Sequence, residues 1–255
     1  MKSSSSALTT KEPQRGPCVA SDNRMPRRVL YSTGFTRSHF VPLGFLAMAL
    51  AVMPLDIPLA CFVHEIRAAE TPYWFRSLAK TCSLSEVISH GIGVMMVLLG
   101  VYALDREHRQ VLPRLLACSF VSGLLALACK SLIVRKRPLH FTPEYLAGHV
   151  TETFGSWLPW MTDGAASNDL RSFPSAHTAT AFGLAVGLSW LYPQARWFFF
   201  LIASLAACQR IVVEAHFMSD VIIGCAIGIA LALLFVGPGH LGRLFAWLEQ
   251  PRESI

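Results

Sequence analysis

Six windows of the chain are almost continuously apolar: Phe40 to Val63, Ile88 to Leu104, Val111 to Cys129, Ala176 to Tyr192, Trp197 to Val213 and Phe217 to Val236. Each is close to the roughly 17–25 residues with which an α-helix crosses a bilayer. The first window carries Pro42, Pro54, Asp56 and Pro58, which predicts an irregular outer end. The pattern therefore predicts an all-α fold, an integral membrane bundle of six helices spanning residues 40–236. Residues 1–39 lack an apolar run and are expected to be a disordered cytoplasmic tail. In residues 237–255, Leu241, Leu244, Phe245 and Leu248 recur at helical spacing beside Arg243 and Glu249, which predicts a short amphipathic helix on the inner surface.

Composition agrees with the pattern. The 255 residues are 53% hydrophobic and 15% charged, a balance more apolar than ordinary soluble domains carry. The formal net charge of +6 does not point to nucleic acid, because positive loops are expected of membrane proteins. The N-terminal segment has no early h-region, so it reads as a polar tail and not a signal peptide, and Glu12 and Asp22 weigh against a transit peptide. Seven cysteines without a CxxC pair give neither a disulfide framework nor a zinc site, and a Cys61–Cys82 pair is disfavoured. Gly183 with Gly187, and Gly224 with Gly228, have the GxxxG spacing that lets helix backbones approach closely. Trp157 and Trp160 suit an interfacial stretch of the long loop. With both termini inside, thirteen Lys/Arg fall inside and nine outside, the expected sign of the bias.

Several of those outer cations sit where topology does not require them. Lys130 ends the third window, and Arg137-Pro138 follows at once. Ser175, Ala176 and His177 open the fourth window, Arg210 lies near the end of the fifth, and His216 and Asp220 flank the start of the sixth. An alternating bundle brings these helix ends to one membrane face. Three cations facing a helix N-terminus describe a site for a multiply charged anion, phosphate above all, with Ser175 as N-cap and the Ala176 and His177 N–H groups aimed at it. His216 and Asp220 are four apart, so on a helix beginning at His216 the carboxylate would orient the imidazole. No carboxylate or histidine spacing suits magnesium or zinc, so no metal or other cofactor is expected.

The sequence Lys130-x6-Arg137-Pro138, then Pro174-Ser175-Ala176-His177, then Arg210-x5-His216-x3-Asp220 closely resembles the three-part signature of the type-2 phosphatidic acid phosphatase superfamily. The resemblance implies a membrane-bound lipid phosphatase acting on a lipid phosphate or pyrophosphate monoester without a metal. It implies that Lys130, Arg137, Arg210, Ser175 and the Ala176 turn bind the phosphoryl group, that His216 becomes a phosphohistidine, that Asp220 holds His216, and that His177 protonates the leaving oxygen. It also implies a bacterial inner-membrane protein with its active site facing the exterior. Family members act on undecaprenyl pyrophosphate, phosphatidylglycerol phosphate, phosphatidic acid and lipid A, and nothing in the sequence chooses among them or gives an oligomeric state. Two positions depart from the usual pattern: Ala176 stands where glycine is common, and Gln209 where serine is.

Rival readings remain at this level. A lipid phosphotransferase would use the same residues with another acceptor. A lipid or organic-anion transporter would use the cations for binding only, although no internal repeat is evident. Arg135 and Lys136 read as solvated cations beside the motif, Asp56 as a lining of the outer end of the site, and Glu144 and Asp163 as shaping access. His64, His90, His140 and His149 match no motif position.

Overall fold

The computed structural model describes residues 40–140, 150–158 and 171–250. The N-terminal tail, His149, Trp160, Glu144 and Asp163 lie outside the described residues. Helices α1 (Phe40–Val52) and α2 (Asp56–Ala68) are joined by a 3-10 turn over Met53–Leu55, where Pro54 removes a helix donor. There follow α3 (Tyr73–Ser85), a 3-10 turn (Glu86–Ser89), α4 (Gly91–Leu104) and α5 (Leu112–Lys130). Then come strands β1 (Ile133–Arg135) and β2 (Phe154–Trp157), and helices α6 (Ala176–Leu191), α7 (Arg196–Val212), α8 (Met218–Val236) and α9 (His240–Leu248).

The structure is mostly helical, but it does not reproduce six spans. Among the described residues four stretches are long and apolar enough to cross a membrane: Phe40–Ala68, Arg109–Lys130, Pro193–Val212 and Met218–Val236. The pair Tyr73–Ser89 and Gly91–Leu104, bent by 72°, would make a fifth. The expected second window is thus broken at His90, whose backbone is extended. The break is tight: a Cβ on Gly93 would fall 1.8 Å from the Val87 carbonyl oxygen. The expected fourth window is α6, with 16 residues. At 1.5 Å per residue it is about 24 Å long, short of a hydrocarbon layer of about 30 Å.

Helix α6 is instead the centre of the bundle. It is buried nearly all round, and α5, α7 and α8 pack against it while α1 packs on α8. A helix without a polar face needs such a position. The two GxxxG pairs make the close contacts: a Cβ on Gly183 would meet the Cys118 oxygen of α5 at 2.2 Å, and one on Gly224 of α8 would meet the Ser175 oxygen at 2.5 Å. The six described cysteines other than Cys18 are free.

A short antiparallel β pair departs from the all-α expectation, with Ile133 opposite Trp157 and Arg135 opposite Phe154. Arg135 also bridges to Arg171, and its carbonyl accepts the Ser172 N–H at 2.9 Å. The segment after α5 is thereby tied to the segment that leads into α6. At the other end, buried Arg114 of α5 donates to both carboxylate oxygens of Glu249, at 2.7 and 2.8 Å, which anchors the end of α9. Leu241, Leu244 and Leu248 of α9 are exposed, while Phe245 packs edge-on against Phe235.

Candidate active site

The first turn of α6 begins as its sequence suggests. Ser175 is the N-cap and accepts the Thr178 N–H at 3.4 Å; its hydroxyl also lies 2.9 Å from Thr178 Oγ1. That hydroxyl is therefore engaged in capping, and the groups left without helical acceptors are the N–H groups of the first turn, including Ala176 and His177. The usual glycine is dispensable here, since Ala176 is helical, and the non-glycine residues with positive φ among those described are Leu158 and Glu214. The Ser175 N–H donates to the Asp220 carbonyl at 3.1 Å, fastening the start of α6 to the start of α8.

His216 and Asp220 do not share a helix face, because α8 begins at Met218 with Phe217 as its N-cap. Asp220 is the third residue of that helix, and its Oδ2 accepts the Phe217 N–H at 3.1 Å. The His216 Nδ1 lies 3.9 Å from Asp220 Oδ2, too far for a hydrogen bond. Ser172 stands beside both: its Oγ donates to Asp220 Oδ2 at 2.6 Å and lies 3.5 Å from His216 Nδ1. His216 itself is 1% exposed. Burial, together with the charges of Lys130, Arg210, Arg137 and His177, holds its pKa well below the usual imidazole range. These four residues thus bear electrostatically on His216.

The turn carrying His216 is braced from α2. Glu214 adopts φ 56°, a left-handed conformation costly for a residue with a Cβ. Its buried carboxylate takes His64 Nδ1 at 2.9 Å and Arg67 Nε at 3.3 Å. His64, unassigned in the sequence, thus contacts the turn that carries His216.

Lys130 is the last residue of α5 and is buried. The Nε atoms of Arg137, Arg171 and Arg210 are buried without a hydrogen-bond partner. Three buried guanidinium donors without acceptors are costly unless an anion visits them. Arg171, which the sequence reading gave no role, belongs to this group and also bears electrostatically on Lys130. Arg210 does have partners at Nη1, which donates to Glu86 Oε1 at 2.7 Å and to Gln209 Oε1 at 3.1 Å, while Gln209 Nε2 donates to Glu86 Oε2 at 2.8 Å. His90, also unassigned, places Nε2 3.2 Å from Glu86 Oε1 and its ring edge-on to His177 with centroids 4.7 Å apart. The helix break thus brings together Glu86, His90 and His177, a cluster that their sequence spacing did not disclose.

Arg135 overturns its reading as a solvated cation. It is 0% exposed and donates from Nε to Thr153 Oγ1 at 3.0 Å, from Nη2 to Asp56 Oδ2 at 2.8 Å, and from Nη1 to Ser219 Oγ at 2.9 Å and to Asp220 Oδ1. Phe154 and Phe217 cover its two faces, at 4.4 and 4.3 Å from their centroids. Asp56 likewise does more than line an outer end: fully buried, it accepts the Ser219 N–H at 2.9 Å and the Ser219 hydroxyl. One guanidinium lies between the two carboxylates, and the Ser219 and Ser172 hydroxyls with the Ser219 and Phe217 N–H groups supply the remaining donors, as buried charges require. The signal available in the sequence was an acid inside an apolar window, which calls for a buried cation elsewhere. Lys136 is partly buried.

The family model of the PAP2 superfamily matches residues 112–237, from the start of α5 to the end of α8. Among curated proteins, the chain is similar to a lipid A 1-phosphatase of Rhizobium johnstonii, 36% identical over 113 residues, covering 44% of this chain and 41% of that one. A lipid A 1-phosphatase of Rhizobium etli gives 36% over 113 residues, 44% of each chain. A decaprenylphosphoryl-5-phosphoribose phosphatase of Mycobacterium tuberculosis is 30% identical over 168 residues, covering 64% of this chain and 82% of that one. The match thus spans less than half the length of the two Rhizobium proteins and most of the mycobacterial one. No solved structure matches the chain.

Proposed function

The chain belongs to the PAP2 superfamily, and from that premise we propose that it is a multi-pass membrane phosphatase that removes phosphate from a lipid phosphate or pyrophosphate through a phosphohistidine. What supports this reading is the burial of the His216 imidazole at 1% exposure, with the charges of Lys130, Arg210 and Arg137 bearing on it. The three buried Nε donors without acceptors add to it. The names of the relatives support a lipid phosphate as the substrate class.

The substrate phosphoryl group lies among Lys130, Arg137, Arg210 and Arg171, with the Ala176 and His177 N–H groups at the positive end of α6. The lone pair of His216 Nε2 attacks phosphorus, forming the N–P bond as the P–O bond to the lipid breaks. The departing electron pair goes to the lipid oxygen, which takes a proton from His177. Water then attacks the phosphohistidine, passing a proton back to His177, and phosphate leaves as the N–P bond breaks. Charge developing on the phosphoryl oxygens is met by the fixed cations, so the reaction proceeds without a divalent ion.

Attack from Nε2 requires the other ring nitrogen, Nδ1, to hold the proton. The acceptor beside Nδ1 is Ser172 Oγ, whose own hydrogen is committed to Asp220. Ser172 thus relays the orientation that Asp220 was expected to impose directly, and Arg135 fixes Asp220 in turn. The charge bias favours both termini inside and the site on the outer face, and the family resemblance implies a bacterial inner membrane.

The test is phosphate release by the purified full chain across a panel of lipid phosphates, in EDTA. Release that persists in chelator and is abolished by His216→Ala is the expected result. A strict requirement for an added divalent ion would contradict the mechanism, and uptake or binding without release would favour a transporter.

A further inference from the structure

The cluster formed by the break between α3 and α4 goes unused in the mechanism above, apart from His177. It combines one carboxylate and two imidazoles whose ligand atoms all lie within 4.8 Å of one another. We propose that Glu86, His90 and His177 form a binding site for a zinc-class transition-metal ion, and that its occupancy shuts the phosphatase; this second part rests on the function proposed above.

The geometry favours such an ion. A tetrahedral ion with bonds of about 2.0–2.1 Å spaces its ligand atoms about 3.3 Å apart. His90 Nε2 and Glu86 Oε1 stand 3.2 Å apart, so two ligands already have the separation that one ion would impose. The His90 and His177 rings pack edge-on with centroids 4.7 Å apart, and the ligand atom of His177 lies within 4.8 Å of the other two. Two histidines and a glutamate form a set known to hold zinc with a fourth position open. The side chain of His90 is 51% exposed, which gives an ion a way in.

The surroundings complete the site. Ligating carboxylates are normally held by outer hydrogen bonds, and Glu86 has two, from Gln209 Nε2 at 2.8 Å and Arg210 Nη1 at 2.7 Å. Gln209 stands where this family usually has serine, so its amide gives this chain a reach to Glu86 that a hydroxyl lacks. The neighbouring cations also make the site selective. Magnesium and calcium depend on charge and oxygen ligands and are disfavoured beside Arg210 and Lys130, whereas zinc, nickel and copper gain from imidazole.

The consequence for catalysis is direct. A metal bound at His177 occupies a nitrogen of the imidazole that carries the proton for the leaving group. Its charge, beside the fixed cations, also disturbs the balance set for the incoming phosphate.

The experiment is calorimetric titration of Zn2+ into the tag-free full chain in detergent, after removal of bound metals with chelator, with Mg2+ as the control ion. The expected result is one Zn2+ per chain, no Mg2+, and at least about tenfold weaker binding in His90→Ala. The same variant should release phosphate at the unliganded rate and require correspondingly more Zn2+ for half-inhibition. His90→Gln provides a second variant if alanine perturbs folding. Absence of saturable Zn2+ binding, or equal affinity in the wild type and both variants, would overturn the site. His90-dependent binding without inhibition would overturn the shutting role. His90-dependent binding in a protein that releases phosphate from no lipid would uphold the site and refute the phosphatase reading.

Discussion

His177 and His216 differ in exposure, and the proposed mechanism gives them different roles. His216 is fully enclosed, and burial with the charges of Lys130, Arg210 and Arg137 lowers its pKa, which suits the nucleophile proposed for it. His177 is partly exposed, in the first turn of α6, where a leaving oxygen can reach it. His216→Ala should abolish turnover on every substrate. His177→Ala should lose at least about a hundredfold on a lipid monophosphate, whose alkoxide needs a proton, yet stay within about tenfold of wild type on a nitrophenyl phosphate. Equal losses of the two variants on the aryl substrate, with both proteins folded, would contradict the division. Ser172 gives a second expectation. Removing its hydroxyl in Ser172→Ala leaves His216 Nδ1 with a carboxylate 3.9 Å away, so kcat should fall by about tenfold, or about 1.4 kcal/mol of transition-state stabilisation, while KM stays near its original value. A raised KM with unchanged kcat would assign Ser172 to substrate binding.

At the level of elements, the site depends on how closely α8 approaches the start of α6. Gly224 is the contact point, because any Cβ there meets the Ser175 oxygen at 2.5 Å and the Thr178 Cβ at 3.0 Å. Gly224→Ala should therefore displace the turn at Ser175, which is proposed to bind phosphate. It should cost about 1–3 kcal/mol of stability, read as a lower Tm, with a fall in kcat/KM. Gly100→Ala in α4 is the matched control, since nothing lies within 4 Å of its added methyl, and it should change neither quantity. Loss of activity equal in both variants would point to a general effect of helix substitution. The apolar windows made most helices legible, because hydrophobic length alone marks them. The bend at His90 was not legible, since Gly91 and Gly93 are common in membrane helices and nothing local distinguishes a break from close packing. Nor was the shortness of α6, whose apolar character reflects burial among other helices as well as it would contact with lipid.

At the level of the whole molecule, separated segments converge by three devices. The β pair ties the end of α5 to the approach to α6, the Ser175 N–H bond ties α6 to α8, and the Arg135 pairs join α2 to α8. Several residues of the three motifs stood out in the sequence because they carry a charge or imidazole near the edge of an apolar window, as Lys130, His177 and Arg210 do. Arg135, Asp56 and Ser172 were not, since only the folded chain shows that the arginine next to a surface-like run of cations lies in the interior against two carboxylates. Glu86 and His90 stayed hidden for the related reason that their other partners, Arg210 and His177, lie more than eighty residues away. The central claim, that this assembly transfers phosphate through His216, is tested most directly by trapping the enzyme during turnover. The full chain, mixed with a lipid phosphate carrying a labelled phosphoryl group and quenched in base, should yield a base-stable, acid-labile phosphoprotein with the label mapped to His216. The label should be missing from His216→Ala. A label on any other residue, or turnover that continues in His216→Ala, would contradict it.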